Sequence, residues 1–408
     1  KIRVGVLPPE GIALAQGGMI DFDTALVAAT PGVIPIDYPK LHEEVHAGER
    51  LLLHDGRVET KIVRVAGTRI NTEVIVGGLV TSHKGINVPD SELVVRALTE
   101  KDKEDLRFGV THGVDFVAVS FVRNPDDILD VRYTIKQYEE ELGLKSEQPI
   151  RIIAKIERHE AVKNIDAILD VADGIMIARG DLGVEIPEQD VPLVQKELIG
   201  KAMAAGKPVI VATQMLDSMQ ENPRPTRAEV SDVANAVIDH TDAFMLSNET
   251  ATGKYPVEAV ETMRDIIIRT ESSIYDDFHI REHTGKKEKI DDIISELSRL
   301  LAERVAAKII LAASISGETA RIISRYRPEL PIVVGTGTDR VRHQLNLSWG
   351  VVPFPLETCN SIEELAERSM VYLKQEKIIA SGDKIIIVAG EPVGHAGHIN
   401  LLEVREVG

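Results

Sequence analysis

Four segments of this chain end alike. Each is a short apolar run that closes on polar or charged residues: Arg151-Ile152-Ile153-Ala154-Lys155-Ile156-Glu157, Ile175-Met176-Ile177-Ala178-Arg179-Gly180-Asp181, Val209-Ile210-Val211-Ala212-Thr213-Gln214 and Ala243-Phe244-Met245-Leu246-Ser247-Asn248-Glu249. Glu157 and Asp181 form a carboxylate pair able to hold a hard divalent cation such as Mg²⁺ (or Mn²⁺), with water and substrate oxygens completing the shell. Lys155 lies two residues before Glu157, so both side chains share one face of the strand end. An ammonium group there can neutralise a transferring phosphoryl group, whose charge spreads over its oxygens. Thr213 offers a hydroxyl that could pass a proton, directly or through water. Singly, a charged residue at a strand end is ordinarily a surface group, and Asp181 also reads as the cap of a following helix. Four such ends in series point to a site.

The elements that must position these residues follow from the pattern between them. Apolar runs at 116–121, 152–156, 175–178, 209–212 and 243–246 lack alternation, so they read as strands covered on both faces. Amphipathic stretches such as 160–172 and 191–205 fill the gaps as helices. Repeated βαβ units imply a parallel sheet, either a doubly wound sheet or a TIM-type barrel, and in a barrel the C-terminal strand ends converge on the active face. Residues 4 to 88 differ. They alternate, as in Glu59-Thr60-Lys61-Ile62-Val63-Arg64-Val65, and carry Gly turns at Gly48, Gly56, Gly67 and Gly77-Gly78, the marks of a small β-barrel or sandwich. A charged run from Arg281 to Lys289 reads as a linker to a third, α/β unit. Its strands are expected at 309–312, 332–334, 351–353, 385–388 and 402–404.

Composition narrows the class. The chain has 408 residues, 43% hydrophobic and 27% charged, enough for two or three domains, and a formal net charge of −18. That field opposes nucleic acid and anionic membrane surfaces. It would also repel phosphorylated metabolites, so a site handling phosphates must be locally basic and metal-loaded. No apolar stretch reaches membrane-spanning length, and no secretory leader is read. The single cysteine, Cys359, cannot form an internal disulfide and reads as an unreactive thiol, in keeping with a cytoplasmic location.

The longer motifs resemble those of one family, the pyruvate kinases. Ile153-Ala154-Lys155-Ile156-Glu157 is similar to the strand bearing that family's lysine and first metal carboxylate, and Met176 to Glu185 resembles the segment with the second. Ala212 to Met219, then Asn222 to Ala236, resembles the threonine loop and its signature; Met245 to Pro256 resembles the last barrel strand. The resemblance implies a (β/α)8 barrel at 1–3 and 89–275, here lacking its first strands, an inserted β lid at 4–88 and a C-terminal α/β unit at 276–408. It implies transfer of the phosphoenolpyruvate phosphoryl group to ADP, giving pyruvate and ATP, in a homotetramer. Lys155 would stabilise the transferring group and Glu157 and Asp181 would bind metal. Backbone around Arg179, Gly180 and Asp181 would hold the substrate carboxylate, aided by Thr213, which donates a proton itself or orders a water that does.

The same resemblance extends to the edges. Leu53-His54-Asp55-Gly56 and Ser82-His83-Lys84-Gly85 resemble landmark turns of the lid, so Asp55 and Lys84, with Arg3, would face the nucleotide, although Asp55-Gly56 is also an ordinary hairpin turn. Lys1-Ile2-Arg3 resembles the end of the third barrel strand, and a lysine at that point implies that K⁺ is not required, the ammonium replacing the cation. Ser314, Ser316, Gly317 and Thr319 resemble a loop that cradles a phosphorylated effector, though Glu318 within it would repel an anion and the run also reads as a helix cap. The first two barrel strands, most of the third and a substrate-facing arginine have no counterpart here, so the chain is expected to be part of a longer protein. Two other readings stand beside the enzyme: a different Mg²⁺-dependent barrel enzyme of phosphoenolpyruvate or pyruvate, and a fragment that binds metabolites without turnover.

Overall fold

In the computed structural model, residues 2–54, 56–91, 98–144, 148–276, 289–390 and 399–408 are described. Five parallel strands, Phe116–Val119, Arg151–Ile156, Gly174–Ala178, Val209–Ala212 and Ala243–Met245, lie side by side in chain order. Alternate residues go to opposite faces. Ile152, Ala154, Ile156, Ile175, Ile177, Val209 and Val211 pack outward on helical Ile128, Val131, Leu198 and Val233. Ile153, Met176 and Ala212 form a smaller cluster on the inner face. Both faces are therefore apolar, which is why no alternation is visible in these runs. Among the described residues the sheet is open, with Phe116–Val119 and Ala243–Met245 as its edges.

The intervening helices include Glu100–Thr111, Pro125–Glu141, Val191–Ala204, Arg227–Ile238 and Pro256–Glu271. Their starts are chemically marked: capping boxes at Thr99 and Thr226, and proline in the first turn at 125 and 256. The stretch expected as one helix over 160–172 is two, His159–Lys163 and Ile165–Val171. The break falls at Asn164, whose side-chain amide donates to the Arg123 carbonyl at 2.8 Å.

Residues 2 to 87 build a seven-stranded sheet in the order Ile2–Arg3, Gly85–Asn87, Arg50–Leu53, Val58–Ala66, Arg69–Val76, Met19–Asp23, Val33–Pro35, with Ile12–Leu14 and Gly78–Val80 paired beside it. Its core holds Phe22, Ile34, Leu41, Leu51, Leu53, Ile62 and Ile70. Ile2–Arg3, expected to end a barrel strand, instead pairs antiparallel with Gly85–Asn87, with Arg3 opposite Gly85. Two residues carry no period of their own, and the neighbouring strand offers their backbone its partners.

The C-terminal sheet runs Val351–Pro355, Ile332–Thr336, Ile309–Ala313, Lys384–Ala389, Leu401–Glu406, parallel except for the last pair. These strands fall where the apolar runs place them. The unit meets the parallel sheet at its N-terminal end. Gln344 donates to the carbonyls of Asp115 and Pro149, each just before a strand, at 3.0 Å, and accepts from Arg151 Nε at 3.0 Å. Arg327 and Asp242 form a buried ion pair at 2.8 Å, each side chain 3% exposed. The opposite, C-terminal end of the sheet is left for the site.

Candidate functional site

At that end, Lys155 is the fifth residue of its strand and Glu157 lies just past the last. The Lys155 Nζ stands 2.7 Å from Glu157 Oε1 and donates to Ser120 Oγ at 3.1 Å. The Glu157 side chain is 1% exposed, and its other oxygen accepts the Phe121 N–H at 2.6 Å. Burial pushes the Glu157 carboxyl above its usual range, Lys155 opposes the shift, and the charge of Asp181 adds to it. A desolvated carboxylate coupled to a second one is a donor set that fits a divalent cation.

Arg179, Gly180 and Asp181 make the first turn of the helix Arg179–Glu185, directly after the strand Gly174–Ala178. The Gly180 N–H donates to Thr213 Oγ1 at 2.8 Å, and that hydroxyl donates to the Ala212 carbonyl at 2.6 Å. A Cβ added at Gly180 would stand 3.4 Å from the same oxygen, an ordinary van der Waals contact. Thr213 and Gln214 have φ of 70° and 56°, a left-handed pair that turns the chain sharply off its strand. For a β-branched threonine that conformation is strained and is held by its surroundings.

The Arg179 guanidinium is part of that hold. It donates to the Thr213 carbonyl at 3.0 Å, the Gln214 carbonyl at 3.3 Å and Asp232 Oδ1 at 2.8 Å. Its side chain thus braces the threonine turn, while its backbone neighbours face the site. Glu249, 1% exposed, accepts from the Leu216 N–H at 3.2 Å and the Ser247 N–H at 2.8 Å, tying the last two strand ends together.

The structure brings Lys155, Glu157, Gly180 and Thr213 to one end of one sheet. Arg3 and Lys84 lie together at the edge of the seven-stranded sheet: Arg3 donates to the His83 carbonyl at 2.9 Å, and the Lys84 carbonyl accepts the Val4 N–H at 2.9 Å. Lys1 and Asp55 fall outside the described residues. Gly56 is placed over the site's helix, where a Cβ on it would be 3.7 Å from Val184 Cγ2. In the C-terminal unit, Ser314 and Thr319 are buried and Glu318 is exposed. Gly317 has φ of 78°, and the Ser316 carbonyl accepts from Arg321 at 3.0 Å and Arg151 at 3.3 Å. Cys359 is a buried free thiol, and burial raises its pKa.

Three functional contributors were not singled out from sequence. Ser120 follows the strand Phe116–Val119 as Thr213 follows Val209–Ala212, but the apolar run read as 116–121 takes it in. The Phe121 N–H depends on a φ of 54°, which phenylalanine does not advertise. Asp232, on a helix, reaches Arg179 across 53 residues of sequence, beyond any local pattern.

Among the described residues no helix is long and apolar enough to cross a membrane. Two family profiles match the chain: "Pyruvate kinase, barrel domain" over residues 1–260 and "Pyruvate kinase, alpha/beta domain" over residues 292–405. The pyruvate kinase of Sporosarcina psychrophila is 43% identical over 413 residues, covering 100% of this chain and 69% of the relative. Those of Geobacillus stearothermophilus and Clostridium acetobutylicum are each 42% identical and match 100% of this chain, covering 69% and 85% of their own lengths. The profiles, the relatives and the strand-end geometry agree, and the chain belongs to the pyruvate kinase family.

Proposed function

We propose that Lys155, Glu157, Asp181, Gly180 and Thr213 carry the reaction of this family, transfer of a phosphoryl group from phosphoenolpyruvate to ADP to give pyruvate and ATP. Family membership supports the reaction, which generally needs Mg²⁺. The observation that supports the residue roles is the Lys155–Glu157 pair beside the Gly180–Thr213 contact at one strand-end face. Glu157 and Asp181 would hold the cation, which polarises phosphoryl oxygens when bound. Lys155 is the ammonium that meets the transferring group, and Ser120 fixes its stem. The Arg179-Gly180-Asp181 turn receives the substrate carboxylate through backbone N–H groups. For Gly180 this means sharing a hydrogen that Thr213 already accepts. Because the Thr213 hydrogen is held by Ala212, we favour Thr213 as the group that orders a donating water.

The small β unit acts as a lid whose closure keeps water from the phosphoryl donor; roles for Arg3, Lys84 and Asp55 at the nucleotide rest on the resemblance alone. Independence from K⁺ through Lys1, a homotetramer, a cytoplasmic location and a phosphorylated effector at the Ser314–Thr319 loop rest on the resemblance alone. At that loop Ser314 and Thr319 are buried and the Ser316 carbonyl accepts from Arg321 and Arg151.

The test is pyruvate formation from phosphoenolpyruvate, ADP and Mg²⁺, coupled to lactate dehydrogenase. Lys155→Met should lower kcat by about 10²-fold or more with circular dichroism unchanged. Turnover equal to the wild type would remove Lys155 from the chemistry. Absence of turnover in the wild-type chain would favour the metabolite-binding reading.

A further inference from the structure

Just beyond Glu157 in the chain, the side chains of His159 and Glu160 converge with that of Glu185 without hydrogen-bonding to one another. His159 Nδ1 lies 3.1 Å from Glu160 Oε2 and 3.7 Å from Glu185 Oε2, and these ligand-type atoms all lie within 4.8 Å of one another. Neither approach has the direction of a hydrogen bond: among the described residues His159 Nδ1 and Glu185 Oε2 are both buried with no hydrogen-bond partner. The Glu185 side chain is only 2% exposed, and its nearest cationic group, Arg158 Nη2, stands 3.9 Å away. Burying a carboxylate oxygen and an imidazole nitrogen without hydrogen-bond partners is costly, and more so where the group is charged. Something of opposite charge at the point where they meet would remove that cost.

We infer that His159, Glu160 and Glu185 form a second cation site, distinct from Glu157 and Asp181, that takes a transition-metal ion of the zinc class. Donor chemistry selects the ion. Imidazole suits zinc and its neighbours, whereas Mg²⁺ prefers oxygen alone. The two separations from His159 Nδ1, 3.1 and 3.7 Å, bracket the distance of about 3.4 Å between ligands that each stand about 2.1 Å from a zinc ion at the tetrahedral angle. An outer shell is already in place. Arg158 grips Glu160 with two bonds, at 3.1 and 3.0 Å, and the Asn87 side-chain amide donates to the far oxygen of Glu185 at 3.3 Å. Such partners orient metal-binding carboxylates. His159 and Glu160 retain 28% and 21% exposure, which provides an entry path.

Placement says what an ion would do. His159 and Glu160 begin the helix after the Lys155 strand, and Glu185 ends the helix that Gly180 and Asp181 begin. Asn87 belongs to the strand Gly85–Asn87 of the small β unit. One ion would therefore clip two active-face loops together at the root of that unit, and a clipped root would restrain its movement.

The test uses the full chain, stripped with chelator and held in excess Mg²⁺ so that oxygen-only sites are filled. Co²⁺ is then titrated and its visible absorption recorded. We expect one equivalent with the intense bands of a four- or five-coordinate ion, displaced by Zn²⁺. Those bands should survive Glu157→Gln. Binding should weaken about a hundredfold in His159→Gln and in Glu185→Gln, each checked for folding by circular dichroism. Absence of the bands, or bands that persist in His159→Gln and vanish in Glu157→Gln, would overturn the assignment.

Discussion

Replacing Arg327 by methionine should loosen the junction between the parallel sheet and the C-terminal unit more than any surface change. Asp242 sits there with 3% of its side chain exposed. Its Oδ1 accepts from Arg327 Nη1 at 3.0 Å and the Trp349 N–H at 2.9 Å, and its Oδ2 from Arg327 Nη2 at 2.8 Å and the Val209 N–H at 3.1 Å. Methionine fills the volume but removes two of those four bonds and the only charge of opposite sign among them. Breaking one side of a buried ion pair costs about 3–5 kcal/mol, because the remaining charge stays desolvated. Asp242→Asn with Arg327→Met removes both charges, so the double variant should recover at least about 2 kcal/mol relative to the sum of the singles. The chain supplies its own probe. Trp349 is the single tryptophan, and the Arg327 guanidinium lies 5.4 Å from its ring centroid. Urea unfolding followed by tryptophan fluorescence reads this junction locally, which matters in a protein of several units that need not unfold in one step. A loss below about 1 kcal/mol in Arg327→Met, additive with Asp242→Asn, would refute the reasoning and mean that water reaches Asp242.

Thr213→Val keeps the shape but gives the Gly180 N–H no acceptor; kcat in the coupled assay should fall about 10–10²-fold, with Thr213→Ser close to wild type. If the valine variant turns over normally, the hydroxyl is not on the proton route. Glu249→Gln sets an amide hydrogen against the Leu216 or Ser247 N–H, so stability should drop by about 1–3 kcal/mol in chemical denaturation; no drop would mean that those N–H groups have another acceptor. His240 is buried and its pKa is lowered to about 4 by desolvation and the nearby charges of Arg327 and Arg299. The folded state keeps it neutral while the unfolded chain takes a proton below about 6.5. Its contribution is therefore whole above that pH and falls away as pH drops toward 4, by about 2–3 kcal/mol at most. His240→Phe should show a correspondingly flatter stability profile between those limits, and identical slopes would count against the assignment.

The strand ends were legible because burial on both faces leaves a parallel strand one place to carry polarity, its terminus. Lys155, Glu157, Asp181 and Thr213 stand out from apolar runs for that reason, whereas Ser120 is taken in by the run read as 116–121. What holds them was not legible. Arg179 reads as a substrate residue in sequence but spends its side chain on the threonine turn, because the carbonyls it binds exist only once Thr213 and Gln214 turn left-handed. The helix expected across 160–172 has the right periodicity, yet the Asn164 amide finds the Arg123 carbonyl and the helix divides there. Ile2–Arg3 shows the limit from the other side, since two residues cannot reveal which of two sheets they join.

That last pairing has a consequence for how such a protein can change. Arg3 and Gly85 are opposite neighbours on adjacent antiparallel strands, so the chain between them leaves and returns at one spot. A segment closed on itself in this way can grow, shrink or be exchanged while its two anchor points stay in register. The entropy of closing a longer excursion rises only as the logarithm of its length, about 0.6 kcal/mol per doubling. The small β unit is thus free to diverge in size and surface at little expense to the parallel sheet, and joining the two anchors by a short turn would excise it as one piece.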